Sequence, residues 1–191
     1  MRVLRVISSM DPRTGGPCQG IRHSVPELEK LGCHNEVVCL DDPDADYLDV
    51  DPLTIHALGH STGPWAKHAD LIPWLTQHLP RFDAVIAHGL WQYASYAVTK
   101  VVQRLRSQSG PVPRMYVMPH GMLDPWFQTD SSRRLKAWRN TFYWHVIERH
   151  TIATGIAVGT AVASRPPHRS VREALPHTAL AASRARNRLL G

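Results

Sequence analysis

Arg2-Val3-Leu4-Arg5-Val6-Ile7-Ser8 runs directly into Ser9-Met10-Asp11-Pro12-Arg13-Thr14-Gly15-Gly16-Pro17, and the reading of this stretch decides the fold. Its first half is β-branched and leucine-rich without a breaker, which predicts a short buried strand. Its second half is dense in turn residues. Ile21, Val25, Leu28 and Leu31 then recur at helical spacing until Gly32 ends the run. A strand, a double glycine and a helix start make one of two things. Either backbone N–H groups and the positive end of the helix receive an anion there, or the glycines only form a tight strand-to-helix turn. The spacing is neither GxGxxG nor GxxxxGK[ST].

Working outward, the same alternation repeats. Glu36–Leu40 predicts a second strand, followed by the acidic loop Asp41-Asp42-Pro43-Asp44-Ala45-Asp46. Asp44-Ala45-Asp46 matches a DxD metal motif in form, but its setting among several aspartates favours a solvated loop. Thr54–Leu58 predicts a third short strand. A helix is expected from Trp65 to Leu79, despite Pro73. His56 and His60 stand four apart across Gly59, in strand and loop rather than on one helix face, and read as surface histidines.

Phe82–Ala87 predicts a fourth strand ending in His88-Gly89-Leu90-Trp91-Gln92, with a helix from about Tyr93 to Leu105. Arg114–Met118 predicts a fifth, ending in Pro119-His120-Gly121-Met122-Leu123-Asp124-Pro125-Trp126. A long helix opened by Ser131 or Ser132 follows, with Leu135, Trp138, Phe142, Val146 and Ile147 on one face. Strands alternating with helices predict an α/β fold, a doubly wound parallel sheet covered on both faces. Ligands of such sheets sit beyond the carboxyl ends of the strands. The Gly15-Gly16 loop, His88 and His120 all fall there.

Composition narrows the function classes. The chain has 191 residues, 43% hydrophobic and 20% charged, which suits one soluble domain. Its net charge of +6 resides mostly in the tail, where six arginines and one glutamate follow His150. The first 150 residues therefore have no strong nucleic-acid footprint. Cys18, Cys33 and Cys39 lack CxxC spacing and predict free thiols in a reducing, cytoplasmic setting. Arg5 interrupts the only apolar stretch near the start, which argues against a secretory signal.

The glycine pair, His88-Gly89-Leu90-Trp91 and Pro119-His120-Gly121-Met122-Leu123-Asp124-Pro125-Trp126 together resemble the N-terminal half of a family 4 glycosyltransferase. Lys136-x-Trp138…Tyr143-Trp144-x-x-x-Glu148-Arg149 adds to the likeness, which covers residues 1–150. The resemblance implies a Rossmann-like N-terminal domain of a two-domain retaining enzyme, built for transfer of a sugar from a nucleotide-sugar donor to a saccharide or lipid-linked acceptor in cell-surface polysaccharide synthesis. It implies catalytic contact of His120 with the donor sugar, donor binding at Gly15 and Gly16, and acceptor-side or cleft-lining roles for His88, Trp91 and Asp124. It implies no metal and no cofactor, the nucleotide-sugar being a substrate.

Two departures from the pattern shape the expectation. The glutamates Glu27, Glu29, Glu36, Glu148 and Glu173 include no pair eight apart, so the E-x7-E donor-domain motif is absent from this chain. Residues 151–191 turn to Ala, Arg, Pro and Ser, and read as a basic tail, disordered or arising from a shifted reading frame. The resulting expectation is an acceptor-side domain inactive without a donor-binding half. Its alternatives are a non-catalytic module that docks on a partner chain and an unrelated nucleotide-binding protein. The basic residues Arg133, Arg134, Lys136 and Arg139, beside Trp138 and Trp144, read either as a solvated helix face or as a peripheral contact with an anionic inner-membrane surface.

Overall fold

The computed structural model describes residues 1–50, 52–108, 110–120 and 156–157. All belong to the unit Met1–Ala161. The helix expected from Ser131, Asp124, Trp126 and nearly all of the basic tail lie outside the described residues.

The elements in order are β1 (Arg2–Val6), α1 (Gly16–Lys30), β2 (His34–Cys39), β3 (Thr54–Ala57), α2 (Leu71–His78), β4 (Ala84–His88), α3 (Tyr93–Arg106), β5 (Arg114–Met118) and β6 (Ile156–Ala157). Every strand pairing in the sheet is parallel, and the strand order is β3-β2-β1-β4-β5-β6. This is the doubly wound, Rossmann-like α/β order, with its reversal of direction between β1 and β4.

The two faces of the sheet are dressed differently. Leu4, Val6, Val38, Val85, Ala87, Met115 and Val117 form one buried cluster with Leu71 and Leu75 of α2 and with Ala94, Val98 and Val102 of α3. On the other face, Ile7, Val37 and Cys39 pack with Cys18, Ile21 and Val25 of α1. The alternation along β1 thus sends Leu4 and Val6 one way and Val3, Arg5 and Ile7 the other, as a period of two requires.

Local chemistry sets the boundaries. α1 ends in a Schellman motif, in which Gly32 N–H donates to the Glu29 carbonyl (2.9 Å) and Cys33 N–H to the Leu28 carbonyl (3.0 Å). Gly32 takes φ +74°, as that cap demands. Leu31, expected on the buried face, is instead the C-cap residue and lies exposed, because the helix has already turned away.

α2 starts six residues later than Trp65. Thr62 and Lys67 exchange backbone hydrogen bonds of 2.8 and 3.0 Å across a tight turn. Trp65 lies within that turn and packs against the rings of Tyr93 and Tyr96. With the helix beginning at Leu71, Pro73 falls in its first turn, where a missing N–H costs no intrahelical bond. Among the described residues, no helix is long and apolar enough to cross a membrane.

Candidate functional site at the carboxyl edge of the sheet

The loops after β1, β4 and β5 all leave from one edge. At the point where strand order reverses, Ser8 Oγ donates to Gln92 Oε1 at 2.7 Å and ties the loop after β1 to the start of α3. The crevice of a doubly wound sheet opens at such a point.

The loop after β1 is held by a residue that the sequence placed in a solvated run. Asp41 is buried and accepts from Ser9 Oγ (2.6 Å), Met10 N–H (2.6 Å) and Tyr47 Oη (3.1 Å). Burial, and then the Asp41 charge, push the Tyr47 phenol up to about 12. Only Asp44 and Asp46 of the acidic loop are exposed as expected. Further along, Asp11 accepts from the Arg13 backbone N–H (2.8 Å) and from its guanidinium, fixing a turn over Pro12–Thr14.

Gly15 has φ +97° and ψ −145°, a backbone state that essentially only glycine occupies without strain. It leads into α1, whose N-terminus carries no side-chain cap. Among the described residues, a Cβ at Gly15 or Gly16 would meet nothing within 4 Å, so neighbouring atoms do not crowd these two positions. This is the geometry in which backbone amides and a helix terminus receive an anion.

The histidine loops supply the other wall. His88 is the last residue of β4 and only 3% exposed. Its Nδ1 lies 2.8 Å from Nε2 of His120, two residues beyond β5, and the rings are stacked with centroids 5.0 Å apart. Gly89 N–H continues the ladder to the Met118 carbonyl at 2.9 Å, so both histidine segments are anchored to the same strand pair. Burial, and then the neighbouring His120 and Arg5, bring His88 down to about 3. His120, exposed at the edge, is also lowered, first by the burial of part of its ring and then by Arg5. Both imidazoles are therefore neutral at pH 7.

Strain gathers here as well. Trp91 (φ +59°) and His120 (φ +50°) are two of the three non-glycine residues with left-handed backbone among those described. Each such residue costs on the order of 1 kcal/mol, a strain that concentrates at functional sites.

Sequence reasoning missed Arg5. It read this residue as an interruption of an apolar run, whereas the sheet buries it on the α1 face, 5% exposed, with Nε donating to Asn35 Oδ1 at 3.0 Å. The signal was present: Arg5 sits between Val3 and Ile7 at the inward positions of a period-two strand.

His56 is likewise no surface histidine. It is half-buried, 2.8 Å from Glu36 and packed against the Trp74 ring, while His60 is exposed near Asp42. Gly15, Gly16, Trp91, His88 and His120 share the carboxyl edge, and the structure brings the two histidines into direct contact. Asp124 is outside the described residues. Among the described residues, no three His, Cys, Asp or Glu side chains gather as metal ligands. All three cysteines are buried free thiols. Comparison with models of known protein families and with curated protein sequences finds no match to this chain.

Proposed function

We propose that this domain is the acceptor-side half of a retaining glycosyltransferase, serving transfer of a sugar from a nucleotide-sugar donor to a saccharide or lipid-linked acceptor on the cytoplasmic side of the membrane. The observation that supports it most is His120, which stands at the open edge of a Rossmann-ordered sheet and is braced from below by buried His88 at 2.8 Å.

Sugar transfer with retention develops positive charge on the sugar ring. A protonated imidazole beside that ring would oppose it, whereas a neutral one hydrogen-bonds a sugar hydroxyl without charge repulsion. Burial and the Arg5 charge keep His120 neutral at working pH. His88 positions it, and Gly15 and Gly16 offer backbone amides to the donor phosphate, with Trp91 shaping the wall between. The counter-charges for the donor diphosphate are assigned to a second domain, as the family resemblance implies.

Equilibrium binding of the full chain to a panel of nucleotide-sugars tests the reading. One donor is expected to bind selectively over its free nucleotide, with His120→Ala weakening the sugar-dependent part by about tenfold, the worth of one well-placed hydrogen bond. Binding that is indifferent to the sugar, or unchanged in His120→Ala, overturns it.

A further inference from the structure

Arg5 carries a full charge into the interior, and no described neighbour balances it. Its one hydrogen bond among the described residues is to the neutral amide of Asn35, and no carboxylate there pairs with it. Glu36, the neighbouring acid on β2, faces the other way: it opposes Leu4 in register, not Arg5. A buried guanidinium without a counter-charge is expensive, and an anion bound to it would offset that cost.

A second group is incomplete at the same place. His88 Nε2 is buried and without a hydrogen-bond partner. Arg5 opposes Ile86 on the adjacent strand, and His88 lies one pleat further toward the carboxyl edge on the same face. The guanidinium and the histidine pair thus form one polar patch inside an apolar face, reaching the surface at His120.

We propose that Arg5 and His88, with His120 at the mouth, form a binding site for the carboxylate of a small ligand, a sugar acid. Charge sets the class. Among the described residues the site holds one formal positive charge, which one carboxylate balances. A guanidinium also matches the two oxygens of a carboxylate in a fork. The saccharide frame of the ligand rests on the proposed function; the carboxylate rests on Arg5 alone.

The test measures binding of glucuronate, glucose and inorganic phosphate to the full chain by NMR, following the histidine ring resonances. Glucuronate and glucose differ at one carbon, carboxylate against hydroxymethyl. The deciding variant is Arg5→Gln, because the glutamine Nε2 occupies the place of the arginine Nε and keeps the Asn35 bond while removing the charge. Glucuronate is expected to bind at least tenfold more tightly than glucose or phosphate, to shift the His88 and His120 signals, and to lose that margin in Arg5→Gln. Equal affinity for glucuronate and glucose, phosphate binding as tight as glucuronate, or full glucuronate affinity in Arg5→Gln each overturns the site.

Should Arg5→Gln fail to fold, Arg5→Lys decides. It keeps the charge without the fork and is expected to weaken glucuronate by about tenfold, and unchanged affinity refutes the proposal. Glucuronate binding through Arg5 with no selective nucleotide-sugar binding removes the sugar-transfer reading and leaves this site standing. The opposite pair of results removes this site and leaves sugar transfer.

Discussion

Arg2 and Arg5 lie on one five-residue strand and meet opposite fates. Arg2 points to the face of α2 and α3, where Glu36 accepts from its guanidinium at 3.1 Å. Glu36 also takes Arg81 and His56, and Arg2 and Arg81 both lie over the Phe82 ring. In that cluster each guanidinium has a carboxylate partner and access to solvent, and the cluster explains itself as structure. Arg5 points the other way, to the face of α1, with Asn35 and two neutral imidazoles for company among the described residues. The difference teaches where to look for a ligand: at the cluster that its own side chains leave incomplete.

The sharpest way to break the contrast is Glu36→Ala. Glu36 is 17% exposed and its loss removes the carboxylate shared by two partly exposed guanidiniums and an imidazole, so stability measured by urea unfolding is expected to fall by about 2 kcal/mol. A loss below about 0.5 kcal/mol would mean that the cluster around Glu36 contributes nothing.

Acid separates the two clusters next. His88 has a lowered pKa, so the folded state binds fewer protons than the unfolded chain once pH drops below the ordinary histidine value of 6.5. Its contribution is complete above that pH and is lost on descent toward about 3. Between pH 6.5 and 5 the loss is roughly 1.5 kcal/mol, and His88→Gln is expected to flatten it. Glu36, also lowered, gives up its contribution only below the ordinary glutamate value of 4.5. A denaturation series at pH 6.5, 5 and 4 that shows one acid limb unaffected by His88→Gln would merge the two clusters.

Smaller effects sharpen the picture. Arg5→Gln is expected to leave the ligand-free protein as stable as wild type or up to about 1 kcal/mol more stable, since it removes an unbalanced buried charge and keeps a hydrogen bond. A clear drop in melting temperature would assign Arg5 to the core. Arg2→Ala, at a side chain 47% exposed, is expected to cost less than about 0.5 kcal/mol in the same assay.

Much of the fold was legible in the sequence. β5 falls on Arg114–Met118, where the apolar run had put it, and Gly32 stops α1 as its position promised. α2 was overextended because Trp65 looked like part of an apolar helical face, and only its docking on Tyr93 and Tyr96 shows that it belongs to a turn. The candidate site was half legible. Residues at strand ends advertise themselves by composition, as Gly15, Gly16, His88 and His120 do. Asp41 and Arg5 did not, because a charged residue reads as exposed until a partner from a distant segment is brought to it.

By itself the sequence determined the alternation of strands and helices, the parallel sheet and the edge from which the special loops leave. These follow from periodicity and turn chemistry within about a dozen residues. Only the tertiary structure decided that His88 and His120, thirty-two residues apart, touch, and that Arg5 is buried with no carboxylate partner among the described residues. Such facts depend on strand register and on which charges meet across the sheet, and neither is written in any local stretch of chain.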